Sequence, residues 1–197
     1  MTVSIASHIV LEEIGAPYET RKLDFGATEQ RSADYLKVNP KGRVPALVTE
    51  QGIITETPAI LAYLAQSFPD ANLAPKDPFD FAKLQEFNCY LCATVHVAHA
   101  HKMRGTRWAR DEAAIAEMRA NVPRTMAECF QLIEDEMFGG PWVLGEQYTV
   151  SDAYLFTIAQ WLQGDEVDIG RFPRVAEHSQ RMLARDAVQK VREIHSL

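Results

Sequence analysis

Hydrophobic and polar positions follow two regimes along this chain. Up to about residue 68 the apolar runs are short and punctuated by turn formers, and beyond about residue 79 they recur at spacings of three and four over long stretches. In the first regime Ile5, Ile9, Val10 and Ile14 predict a helix that Gly15-Ala16-Pro17 stops. Tyr18 to Asp24 reads as a strand, and Gln30 to Leu36 as a short helix ahead of Asn39-Pro40. Pro45 to Thr49 and Ile53 to Thr55 predict a hairpin turning at Glu50-Gln51-Gly52, and Thr57 to Gln66 a closing helix. Pro69, Pro75 and Pro78 mark a linker. In the second regime Leu84, Phe87, Leu91, Val95 and Ala98 predict one long amphipathic helix, and Ile115, Met118, Val122, Met126, Cys129, Ile133 and Met137 another, ended by Gly139-Gly140-Pro141. Thr149 with Asp152 three residues on forms an N-terminal capping pair whose role is folding. Trp142, Tyr148, Phe156 and Trp161 are expected to pack this helical part.

Composition narrows what such a chain can meet. Its 197 residues, 47% hydrophobic, suffice for one large or two small cores, and the change of pattern favours two. A net charge of -7 argues against nucleic acid or an anionic membrane surface as the main partner. No apolar run approaches the roughly 18 residues of a membrane span, and no basic segment leads into an apolar stretch at the start, so the expected place is the cytoplasm. Three cysteines, Cys89, Cys92 and Cys129, are too few and odd in number for a secreted disulfide framework and are expected to be reduced. Cys89 and Cys92 have redox-motif spacing but sit inside an apolar helical repeat, which predicts ordinary buried thiols.

The chemistry concentrates between residues 39 and 57. Pro45, opening a strand, cannot donate to a ladder and belongs at a strand start or edge, possible also after a cis bond. Val44 is then free to pair its N–H and C=O with an extended peptide. Thr57-Pro58 predicts a helix start with Thr57 as N-cap, a place that attracts a carboxylate, while Glu56 beside it can hold an ammonium. Together these suit the zwitterionic end of a γ-glutamyl peptide.

These residues, with Ala6-Ser7-His8-Ile9-Val10-Leu11-Glu12-Glu13 and Tyr148 to Phe156, resemble the cytosolic glutathione transferases, most nearly the bacterial beta class, over nearly the whole chain. The resemblance implies a thioredoxin-like α/β domain over 1–68, a linker over 69–78 and an all-helical bundle over 79–197. It implies conjugation of the glutathione thiolate to an electrophilic small molecule, with glutathione as co-substrate, no metal, and a homodimer formed through the third helix and the Phe79 to Tyr90 stretch. Arg43, Val44, Pro45, Glu56 and Thr57 would bind glutathione. The family's first strand has no room within Met1-Thr2-Val3-Ser4, and a longer natural form is expected. The beta-class cysteine falls on Val3, which cannot donate to sulfur, so Ser4, or else Thr2, becomes the thiolate donor, unless Ser4 merely caps the helix. Either His96 or His99 would face the site from the second domain. A metal held by this pair lacks a third ligand at clear spacing. The basic stretch from Lys102 to Arg110 could attract an anionic second substrate or a neighbouring subunit. A non-catalytic ligand-binding protein of the same fold and a glutathione-dependent reductase are the rival readings; the absent cysteine weighs against the reductase.

Overall fold

The computed structural model describes residues 2–197. Helix α1 (Ser4–Ile14) buries Ile5, Ala6, Ile9 and Val10, and ends where Gly15 adopts a left-handed φ of 69° and its N–H reaches the Leu11 and Glu12 carbonyls. A loop follows through Asp24. This corrects the strand expected from Tyr18 to Asp24: among the described residues no strand lies beside it to supply a ladder, and the Tyr18 hydroxyl is instead bonded to His8 Nε2 at 2.6 Å and to Glu12. Helix α2 (Ala33–Val38) is capped by Ser32, whose Oγ accepts the Tyr35 N–H at 3.1 Å.

Strands β1 (Ala46–Thr49) and β2 (Gly52–Thr55) pair antiparallel from Ala46 against Thr55 to Thr49 against Gly52, the hairpin expected. Leu47 and Ile54 pack toward the core while Val48 is 66% exposed, as period-2 alternation requires. Helix α3 (Thr57–Ser67) buries Ile60, Leu61, Leu64 and Ala65. Its N-cap is Glu56, not Thr57 as expected; Thr57 is already the first helical residue, because the chain turns one position earlier, at Glu56, with φ 74°.

The rest is helical. Asp77 accepts the Phe79 and Asp80 N–H groups and starts α4 (Pro78–Tyr90), which runs through a π-helical turn at Leu91–Val95 into α5 (His96–Arg104). The second long repeat divides into α6 (Glu112–Ala120) and α7 (Val122–Leu132), with a further π turn at Ile133–Met137. Every residue of α8 (Val150–Ala159) is buried; α9 (Pro173–Leu183) packs on it, and α10 (Asp186–His195) packs on α1 and α9. The capping box at Thr149 and Asp152 is formed as expected.

One hydrophobic core joins the two parts: α1 packs against α3 on its own side and against α8 and α10 on the other. Arg185 clasps Glu13 through Nε and Nη2 at 2.5 and 2.8 Å, and the Val150 N–H bonds the Leu73 carbonyl at 2.9 Å. Among the described residues no helix is long and apolar enough to cross a membrane.

Candidate active site

A cleft of about 560 Å³ lies where the loop before β1, the start of α3 and the α5 helix face one another. Its floor is set by two side chains that fix one carbonyl. The Tyr35 hydroxyl and Asn39 Nδ2 both donate to the Arg43 oxygen, at 2.7 and 2.6 Å, and hold the loop that carries Val44. The Val44-Pro45 peptide is cis. Gly42 lies in the same loop at φ 58°, where an added Cβ would stand 2.9 Å from the Gln30 carbonyl, so the tight approach of the two segments requires glycine.

Thr2, Arg43, Val44, Pro45, Glu56, Thr57, His96 and His99 all line this cleft. Ser4 opens α1, half-buried, and is not among the lining residues; Val3, its N-cap, is. Nor does Ser4 cap the helix, since no side-chain cap bond is made there. Glu56 pairs with Lys41, whose Nζ lies 2.5 Å from Oε1 and 2.6 Å from Thr55 Oγ1.

The α5 wall holds His96 and His99 on one side, both against Trp161: His99 stacks at 4.3 Å and His96 meets the ring edge-on at 5.0 Å. His101 turns away onto Trp108. Burial, then the nearby His99, Arg104, Arg107 and Arg43, push His96 down to about 4, so it is neutral at physiological pH. His99 Nδ1 meets the fully buried Asp165 Oδ2 at 2.6 Å, which fixes that nitrogen as the donor.

Several lining residues had not been singled out for the site. Cys92 enters the cleft beside Tyr154, and burial together with the Glu56 carboxylate pushes its thiol up. Tyr154 is itself raised, chiefly by burial. Cys89, by contrast, is exposed, which corrects the expectation that both thiols are buried. Trp161, expected only to pack, contributes to the wall, and its indole Nε1 is buried with no hydrogen-bond partner; Gln30 Oε1 is another such atom on the lining. No pattern in the sequence announces Asp165 or Tyr154. Periodicity does place Cys92 on the helix, but the π turn that swings it inward leaves no mark there.

The arrangement suits a small peptide with a zwitterionic end and an extended backbone, sharing the cleft with an apolar second molecule. Residues 2–66 match the family model described as glutathione S-transferase, N-terminal domain, and residues 112–181 the C-terminal domain of the same proteins. The chain is 32% identical over 189 residues to the glutathione S-transferase GstA of Escherichia coli O157:H7, covering 94% of this chain and 90% of that one. A solved glutathione transferase homolog from Sulfitobacter with bound glutathione superposes with a TM-score of 0.96 at 45% identity, covering 100% of this chain and 95% of the other. The bacterial beta-class glutathione S-transferase of Sphingomonas chungbukensis does so with a TM-score of 0.85 at 28% identity, over 98% and 94%. A thioredoxin-like domain with few strands followed by a helical domain is their common architecture, and this chain belongs to the cytosolic glutathione S-transferase family.

Proposed function

We propose that this glutathione S-transferase holds glutathione along the loop before β1 and joins its sulfur to an electrophile seated against α5. The observation that carries the reading is that Val44, beside a cis proline, and Glu56, at the start of α3, open onto the same cleft as Thr2. The γ-glutamyl ammonium pairs with Glu56 and its carboxylate with the first N–H groups of α3. The cysteinyl backbone extends along Val44, and Arg43 and Gln30 offer a cation and an acceptor to the rest of the peptide. The sulfur is assigned to the α1 end, where the Thr2 hydroxyl is the side-chain donor on the lining. A hydroxyl hydrogen bond and the helix terminus both favour the thiolate over the thiol. The thiolate forms a bond to the electrophilic carbon, the leaving group departs with its electron pair, and the thiol proton goes to solvent. His96, Met103, Trp108 and Trp161 make the wall for the electrophile.

The reductase reading needs a thiolate in the cleft, and Cys92, the cysteine on the lining, is shifted the other way. The rest of the reading follows the family: a first domain over 1–68, a linker over 69–78, a second domain from 79, action in a reducing cytoplasm, and a homodimer. Phe79, 73% exposed on α4, supports an interface on that face; Phe79→Asp should convert a sedimenting dimer to monomer.

Two measurements test the site. Calorimetry should give a glutathione affinity that falls at least about tenfold, about 1.4 kcal/mol, in Glu56→Gln. Turnover of 1-chloro-2,4-dinitrobenzene should fall by about the same factor or more in Thr2→Val, with a raised pKa in the pH profile of kcat/KM. Loss in Ser4→Ala but not in Thr2→Val would transfer the role to Ser4. Glutathione binding without turnover of any electrophile would leave a ligand-binding protein.

A further inference from the structure

The chain is acidic overall, with a net charge of -7, yet its cleft is not. Arg31, Arg43, Arg104 and Arg107 all line it, and Glu56, already paired with Lys41, is the acidic side chain among the lining residues. Among the described residues none of the four guanidinium groups makes a salt bridge or donates a side-chain hydrogen bond; Arg110, Arg171 and Arg192 outside the cleft have none either, whereas Arg21, Arg124, Arg174, Arg181 and Arg185 do, so what sets the cleft apart is that four such groups share one cavity. Like charges gathered without partners raise the folding free energy of a protein, and such an arrangement is stabilised when an anion fills it. Burial, then Arg104, Arg43 and Arg31 in turn, hold the Arg107 guanidinium below its ordinary value.

Glutathione does not absorb this charge. As the thiolate it carries two carboxylates and one ammonium, about -2 in all. One carboxylate goes to the start of α3 and the other occupies one arginine, so cationic groups remain. Arg104 and Arg107 stand at the far end of α5, beside Met103 and Trp108, which are 76% and 47% exposed. On the same cleft wall Trp161, stacked on His99, has a buried indole N–H with no acceptor. Donors without acceptors next to exposed apolar surface describe a site for a molecule that is apolar and negatively charged at once.

We infer that the electrophile this enzyme selects carries an anionic group, a carboxylate or sulfonate on an aromatic or otherwise apolar body, bound by Arg104 and Arg107. The inference rests on the transferase reading above and names the substrate class of that site. Chemistry at the reacting carbon is unchanged: for an aryl chloride the sulfur bonds the ring carbon, chloride leaves with the bonding pair, and the thiol proton passes to solvent.

The test compares two electrophiles of matching shape, the charged 4-chloro-3,5-dinitrobenzoate and the neutral 4-chloro-3,5-dinitrobenzamide, each kcat/KM divided by the rate of free glutathione thiolate with the same compound so that their different ring activation cancels. The normalised ratio should favour the benzoate by at least about tenfold, equivalent to about 1.4 kcal/mol. It should shrink in high salt and fall toward one in the R104Q/R107Q double variant. A ratio of one in the parent enzyme, or a tenfold ratio untouched by the double variant, overturns the inference while leaving the transferase reading intact. Turnover of neither compound, together with no glutathione binding, overturns both. The chemically prepared conjugates of the two compounds give the same comparison by calorimetry without turnover, and equal Kd values for them would also overturn it.

Discussion

Replacing Asp152 by alanine should cost this protein about 3 to 5 kcal/mol. The carboxylate is fully buried and engages four donors: the Val143 N–H at 2.8 Å, the Thr149 N–H at 2.7 Å, the Thr149 hydroxyl at 3.2 Å and His178 Nε2 at 3.0 Å. Thr149 and His178 are themselves 0% exposed and Val143 1%, so water cannot easily take the place of the lost acceptor. Two backbone N–H groups and one imidazole left unsatisfied cost about 1 to 3 kcal/mol each. Part of that is offset, because the variant no longer buries a carboxylate. Against a total stability of about 5 to 15 kcal/mol the remainder is a large fraction. Urea titration followed by tryptophan fluorescence should show the midpoint falling by more than about 1 M, taking a slope of about 2 to 3 kcal/mol/M. Thr149→Ala, which loses a cap but leaves the carboxylate in place, should cost about 1 kcal/mol. Asp152→Asn should resemble alanine more than the parent, since its NH2 would face an N–H donor. A midpoint shift in Asp152→Ala no larger than that of Thr149→Ala would refute the reasoning, because the residue would then be a cap and not the joint between the 140–149 loop, α8 and α9.

How much of this was legible beforehand differs between the two halves of the site. In the proposed site Val44-Pro45 and Glu56-Thr57 would act through the backbone conformations that proline and a helix start impose, and such local constraints are written in adjacent residues. The hairpin and the capping box were readable for the same reason. The α5 wall was not, because the π turn at Leu91–Val95 places one more residue in a turn than a regular helix does, so the face on which His96 and His99 fall cannot be counted off from α4. With that turn in place both histidines line the cleft. Trp161 and Asp165 follow α8 and meet His99 across more than sixty residues of sequence, a juxtaposition that no periodicity encodes. Tyr18 to Asp24 failed for another reason. The segment can run extended, but strands are made by partners, and here its tyrosine is bound to α1.

The remaining expectations concern protons, thiols and the clamp. His8 is held below its ordinary value by burial and by His195, and His195 by burial and by Lys22, so the folded state favours both rings neutral. In the unfolded chain they protonate near about pH 6.5. Stability is therefore intact above that pH and is lost as pH falls below it, with His96 extending the loss toward about 4. The melting temperature should drop on going from about pH 7 to about pH 5, less steeply in His195→Gln, and an equal slope in that variant would exclude the pair as the cause. Iodoacetamide should label the exposed Cys89 ahead of Cys92, whose thiol is raised, and of the buried Cys129. Peptide mass spectrometry should find that glutathione protects Cys92 and leaves Cys89 unchanged; the reverse would put the ligand elsewhere. The last concerns Lys41, which holds Glu56 at 2.5 Å with side chains 42% and 50% exposed. A pair that open to water is worth about 0 to 1 kcal/mol, so it competes only weakly with an incoming ammonium. The ammonium of a γ-glutamyl group would gain the same carboxylate while its neighbouring carboxylate gains the start of α3, and Lys41 offers the helix nothing comparable. Lys41→Met should then tighten glutathione binding by about twofold to fivefold in calorimetry, with the larger gain at low salt. Weaker binding in that variant would show that Lys41 stays in place and holds a carboxylate of the peptide, and the clamp on the ammonium would have to be sought away from Glu56.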